Sequence, residues 1–291
     1  VPRGGRARRS RARRRAFAFV LSCVLLAAGC THRSNGSAQP GAVPPRIGGT
    51  LHIALVTPGS LDPAQAVSAE QRLLVGNLFD SLTTLDGSGA VRPAAAASWS
   101  SDQTLRHWRF QLRPGAHYAD GQPVQAQDFK SAWERLASPS TRPRPASAAG
   151  LLGLVDGYPA MAAGRAPAIS GVAAPDPTTL TVDLSQPFAD FPTLVSDPRL
   201  SPIPPSALAR GGAVAARPLG NGPFMLAKAV ASGHPLDLVR NPHYDGRAAY
   251  LDRVRVQVVP DQQTAWLAFQ HGQASFAPVP PDQIAAARAI A

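Results

Sequence analysis

The chain has 291 residues, 44% of them hydrophobic, with 30 prolines and 25 glycines, enough for one or two packed cores and many turns. Its formal charge of +11 would suit a nucleic-acid partner, but eight arginines fall within the first fifteen residues, and without residues 1–29 the balance is 21 basic against 18 acidic side chains, or +3. That remainder excludes a large phosphate-binding surface, and two cysteines, Cys23 and Cys30, exclude a disulfide framework or a cysteine metal site once the first is cleaved away.

The arginines form a basic n-region, and Ala16 to Ala28 is an uncharged stretch of 13 residues. A membrane-spanning helix needs about 20, so the stretch reads as the apolar core of a signal sequence. Leu26-Ala27-Ala28-Gly29-Cys30 follows directly and resembles a lipobox. Small residues before the cysteine admit the backbone to a peptidase cleft. The thiol of Cys30 would then accept diacylglycerol and become the new N-terminus. Arg14-Arg15-Ala16-Phe17 also resembles the core of a twin-arginine export signal. Residues 30–46 are rich in Ser, Gly and Pro and read as a flexible tether.

Folded structure is expected from Ile47 onward. Thr50–Val56 alternates, with Leu51, Ile53 and Leu55 on one face, which predicts a strand. Ser68-Ala69-Glu70-Gln71 is a capping-box signature. It opens a helix whose apolar residues Leu74, Leu78 and Leu82 recur every four positions. His107–Leu112 predicts a second strand with Trp108, Phe110 and Leu112 inward. Phe129, Trp133 and Leu136 mark the core stripe of a helix, ended by Ser138–Pro145. Leu180, Val182 and Leu184 alternate, as do Val254, Val256 and Val258. Ala265–Gln270 predicts a helix stopped at Gly272, and a last helix starts near Asp282. Strands and helices interspersed without one period give an α/β class.

The residues offer little for catalysis. There is no G-x-G-x-x-G, Walker A, G-x-S-x-G or H-E-x-x-H pattern, and the seven histidines are scattered. The expectation is a protein that is not an enzyme, with no cofactor and no metal site.

Several segments, in fixed order from 48 to 259, carry a resemblance: Gly48-Gly49-Thr50-Leu51, Leu61-Asp62-Pro63, Val75-Gly76-Asn77-Leu78-Phe79-Asp80-Ser81-Leu82 and Trp108 to Gly115. After them come Asp120-Gly121-Gln122-Pro123-Val124, Trp133-Glu134-Arg135-Leu136, Gly220-Asn221-Gly222-Pro223-Phe224 and Arg240-Asn241-Pro242-His243-Tyr244. Together these resemble the family 5 extracytoplasmic solute-binding proteins, the oligopeptide and dipeptide binders. Gln125 stands where the family usually has a Thr or Ser helix cap, and Asn221 where it usually has Thr or Ser.

The resemblance implies a periplasmic-binding-protein-like type II two-lobed fold, here with the C-terminal lobe missing. Residues 47–79 and 178–278 would form the first lobe, 80–177 an intervening small domain, and 279–291 the start of a truncated second lobe. It implies a substrate-binding lipoprotein of an ABC importer, anchored through Cys30 on the outer face of the cell membrane. That protein would pass peptides or other small solutes to permease subunits, without nucleic acid. The ligand would lie like an added strand along the backbone of Val67, Ser68, Ala69 and Glu70. The alternative is a truncated non-transport lipoprotein, or a decaying gene product, without ligand binding.

Overall fold

The structure, a computed structural model, describes Val1 and residues 45–209, 213–231 and 234–290. Cys30, the expected signal sequence after Val1 and the tether up to residue 44 lie outside the described residues. Among the described helices none is long and apolar enough to cross a membrane.

Two four-stranded sheets organise the described residues from 46 onward. The first has the order β1-β10-β9-β8, built from β1 (Thr50–Val56), β8 (Phe224–Leu226), β9 (Leu236–Arg240) and β10 (Arg253–Val259). β1 and β10 run parallel, with Thr50 opposite Arg253; the remaining pairs are antiparallel. The alternation in β1 sends Ile53 and Leu55 to one face and Ala54 to the other. Helix α1 (Ala69–Leu78) covers the first face with Leu74, Val75 and Leu78. A later helix (Gln262–Gln270) covers the second with Ala265 and Ala268; Gly272, at φ +72°, follows its end.

The second sheet has the order β4-β5-β7-β6, from β4 (Ala96–Ser101), β5 (His107–Leu112), β6 (Val172–Asp176) and β7 (Thr179–Asp183). A short hairpin of β2 (Thr83–Leu85) and β3 (Val91–Pro93) leads into it. Trp108, Phe110 and Phe191 form an aromatic centre, with ring centroids 5.9–6.4 Å apart. Helix α2 (Ala126–Ala137) adds Phe129, Trp133 and Leu136 to the same core. The Trp133 indole donates to the Leu200 carbonyl at 2.9 Å, so its one polar atom is satisfied in the interior. Gln125 gives α2 no side-chain cap. Asp128 compensates from inside the helix, accepting from the Gln125 amide at 2.9 Å and from the Tyr118 hydroxyl at 3.0 Å.

Two expectations are corrected. The helix opened by Ser68 ends at Leu78, so Leu82 is not on it; Leu82 is buried in the second core. The reason is at the helix end, where the Leu78 carbonyl accepts from the Gly222 amide at 3.0 Å. The boundary expected at 177/178 also fails. It would cut the β6–β7 hairpin, whose strands pair with each other and, through β7, with β5. Leu180, Val182 and Leu184 belong to the second core, which extends to Val214. The chain rejoins the first sheet only at Phe224.

A cluster centred on Asp80 joins the sheets. The Asn221 side chain pairs with the Asp80 backbone in both directions, accepting from its N–H at 3.0 Å and donating to its carbonyl at 3.1 Å. A Cβ on Gly220 would lie 1.8 Å from the Leu78 carbonyl oxygen, so only glycine permits this approach. The Asp80 carboxylate accepts from the Tyr244 hydroxyl at 3.0 Å and from Arg113 at 3.3 Å, while Arg113 also reaches Asp245 at 3.0 Å. Burial pushes the Asp80 carboxyl from 3.8 up to about 6, against the opposing pull of Arg113 and Tyr244. The folded state therefore holds a proton that the unfolded chain releases, and this contribution to stability falls as pH rises from about 4 through 6. In urea unfolding at pH 4 and pH 7, the difference in stability between wild type and Asp80→Asn should shift against wild type by roughly 1–3 kcal/mol at the higher pH; a constant difference would show that Asp80 does not titrate in this window.

Candidate ligand-binding segment

The expected ligand segment follows the C-terminal end of β1, the end of a parallel pair where crevices form in α/β sheets. Leu61 and Pro63 are buried, and Asp62 caps a 3-10 turn over Pro63–Gln65 by accepting from the Ala64 amide at 3.0 Å. The Asp62 carboxylate is also held by Arg135 of α2 through both oxygens, one contact being 2.9 Å from Nη1 to Oδ1. This two-pronged geometry fixes the direction of both side chains. Gln65 adds a second tie, donating to the Pro143 carbonyl at 2.9 Å. The turn is thus fastened to the second sheet's helix and the loop that follows it.

Ser68 then starts α1 as the sequence predicts. Its hydroxyl accepts from the Gln71 amide at 3.1 Å, and Gln71 Oε1 accepts from the Ser68 amide at 3.0 Å. The same oxygen accepts from the Val67 amide at 3.0 Å. Two of the four expected ligand-binding positions therefore have their N–H groups satisfied within the chain. Ala69 and Glu70 lie in the first helical turn, where amides have no intrahelical acceptor. The Val67 side chain is exposed. A ligand strand along 67–70 would meet the Val67 side chain and the first-turn amides directly. It gains the Ser68 amide only if the Gln71 side chain turns away, and the Val67 amide only if its bond to the Gln65 carbonyl at 2.9 Å opens as well.

Sequence reasoning placed Asp62 and Arg135 in separate motifs and did not pair them. Spacing carries no signal for a contact between residues so far apart. Among the described residues, no group of His, Cys, Asp and Glu could hold a metal ion.

The family model for bacterial extracellular solute-binding proteins, family 5, matches residues 90–290. The chain belongs to this family. Its members bind solutes and are not enzymes. A probable deoxycholate-binding periplasmic protein of Escherichia coli, YgiS, is 33% identical over 79% of this chain and 43% of its own length. The periplasmic oligopeptide-binding protein OppA of Salmonella typhimurium is 31% identical over 74% of this chain and 40% of its own. The structure of Haemophilus influenzae OppA in complex with the peptide RPPGFSPFR superposes with a TM-score of 0.73 at 27% identity, over 82% of this chain and 48% of that one. The chain thus spans less than half the length of these relatives. The family's mixed α/β fold is present over that span, and the family motifs acquire physical roles in it. Leu61-Asp62-Pro63 and Trp133-Glu134-Arg135-Leu136 meet in one ion pair, and the motifs around Asp80, Arg113, Asn221 and Tyr244 meet in one cluster.

Arg135→Ala would leave the buried Asp62 carboxylate without its cation, and chemical denaturation should show a loss of about 3–5 kcal/mol. The apolar pair Asp62→Leu with Arg135→Met should recover most of that loss. A single-variant loss below about 1 kcal/mol would mean that the pair does not fasten the turn.

Proposed function

We propose that this protein is the substrate-binding lipoprotein of an ABC importer, which captures peptides or similar small solutes outside the membrane and delivers them to the permease. The observation that carries the reading is family membership over residues 90–290, with the likeness to a peptide-bound OppA beside it. No bond in the ligand is made or broken. Recognition rests on backbone groups of Val67, Ser68, Ala69 and Glu70, which suits solutes of varied side chain because a backbone hydrogen bond does not read side-chain identity. Cys30 is the lipid-bearing residue, and two or three acyl chains would anchor the protein stably where one would not. The permease subunits are the partners.

Calorimetric titration of the purified protein with a mixed pool of tri- to pentapeptides should give saturable heat. A folded protein that gives none would remove the importer reading. In cells, Cys30→Ser should abolish incorporation of labelled fatty acid and move the protein from the membrane fraction to the soluble one; wild-type protein that takes up no label would remove the anchor.

A further inference from the structure

A cavity of ≈ 400 Å³ lies between the C-terminal end of α2 and the segment 144–149. Its floor includes Leu136, Tyr158 and Ala162, and its rim carries Arg144. No Asp or Glu is among the residues that line it. The two arginines of the loop differ sharply. Arg142 donates to the carbonyls of Pro139 and Thr141 at 2.8 and 3.0 Å. Arg144 is exposed and makes no hydrogen bond or ion pair among the described residues. The Tyr158 ring is buried; its hydroxyl makes no hydrogen bond among the described residues and is not one of the buried unpaired polar atoms, so it is open to solvent at the cavity. The same loop is drawn against the ligand segment, because the Pro143 carbonyl next to Arg144 accepts from Gln65, two residues before Val67.

We propose that this cavity receives a side-chain carboxylate of the bound solute, with Arg144 as its cation and the Tyr158 hydroxyl as a second donor. The inference rests on the peptide-binding reading and adds a preference to it. Backbone contacts at 67–70 accept many peptides; the cavity selects those with an acidic side chain. The apolar floor suits the methylene stem of such a side chain, and guanidinium is the cation best matched to a planar carboxylate. An exposed guanidinium at the rim costs nothing in the empty state, since water solvates it. On binding, charge-assisted hydrogen bonds form where the cavity shields them from solvent.

The test uses two tripeptide amides, Ala-Glu-Ala-NH2 and its isostere Ala-Gln-Ala-NH2, so that the only carboxylate is on the side chain. Wild-type protein at 0.15 M salt should bind the glutamate peptide about tenfold more tightly than the glutamine peptide, the size of one charge-assisted hydrogen bond. Arg144→Glu should invert the ratio, and Arg144→Lys should keep its direction with a smaller value. A wild-type ratio near one, or a ratio that Arg144→Glu leaves in place, overturns the cavity proposal while the peptide reading stands. If neither peptide binds the folded protein, the peptide reading falls. The cavity is then decided by glutarate alone, through Tyr158 ring resonances: a shift that disappears in Arg144→Glu upholds the carboxylate site, and no shift ends it.

Discussion

The clasp around Asp80 is the contact on which the rest of the structure depends. Asp80 sits where the chain leaves one core and enters the next, with Phe79 buried in the first and Leu82 in the second. Apolar packing alone does not specify how two such cores are oriented, because it is non-directional. Hydrogen bonds are directional, and Asn221, Arg113 and Tyr244 converge on this one residue from three distant parts of the chain. Leaving buried polar groups unpaired is costly, and this orientation of the sheets pairs the Asn221 amide, the Tyr244 hydroxyl and Arg113 Nη2 together, with Arg113 Nε alone left buried without a partner. Asn221, which departs from the family's usual hydroxyl residue, fits this place well. An amide side chain both donates and accepts, which is what the Asp80 backbone requires.

The segment proposed to hold the ligand inherits its position from that frame. Asp62 is tied to Arg135, Gln65 to Pro143, and Ser68 to Gln71, in the ten residues from Asp62 to Gln71 that also include the exposed Val67. Recognition through main-chain groups needs the main chain held still, because each bond is worth little if the ligand must first order its partner. The side chains here serve as mounts for the backbone. Gln71 holds the segment twice over, since its side-chain carbonyl oxygen accepts from both the Val67 and the Ser68 amides.

Most of the elements were legible in the sequence because their periods are local. The alternation of Trp108, Phe110 and Leu112, the stripe of Phe129, Trp133 and Leu136, and the capping box at Ser68 each fold as read. Leu82 was misassigned because a four-residue spacing continues past Leu78 by coincidence, and nothing nearby in sequence marks the stop. The stop comes from Gly222, far along the chain. The boundary at 177/178 failed for a related reason: the turn between β6 and β7 looks the same whether it joins two strands of one sheet or two domains. The ion pair of Asp62 with Arg135 and the Asp80 clasp were invisible as contacts, although Asp62, Arg135, Asp80, Arg113, Asn221 and Tyr244 all lay in motifs that the family resemblance had singled out. The segment Val67–Glu70 came from that resemblance, and no local pattern points to it.

The parallel pairing of β1 with β10 also orders events in time. β1 leaves the ribosome early, yet its sheet partner β10 is made after every other described strand. Until Arg253–Val259 arrives, Leu51, Ile53 and Leu55 have no β10 to pair with, and closing so long a loop is entropically costly. The second sheet lies wholly between these two strands and can condense while β1 waits. The first sheet is therefore the part that finishes late, and an exposed apolar strand awaiting its partner is what aggregation exploits and chaperones guard.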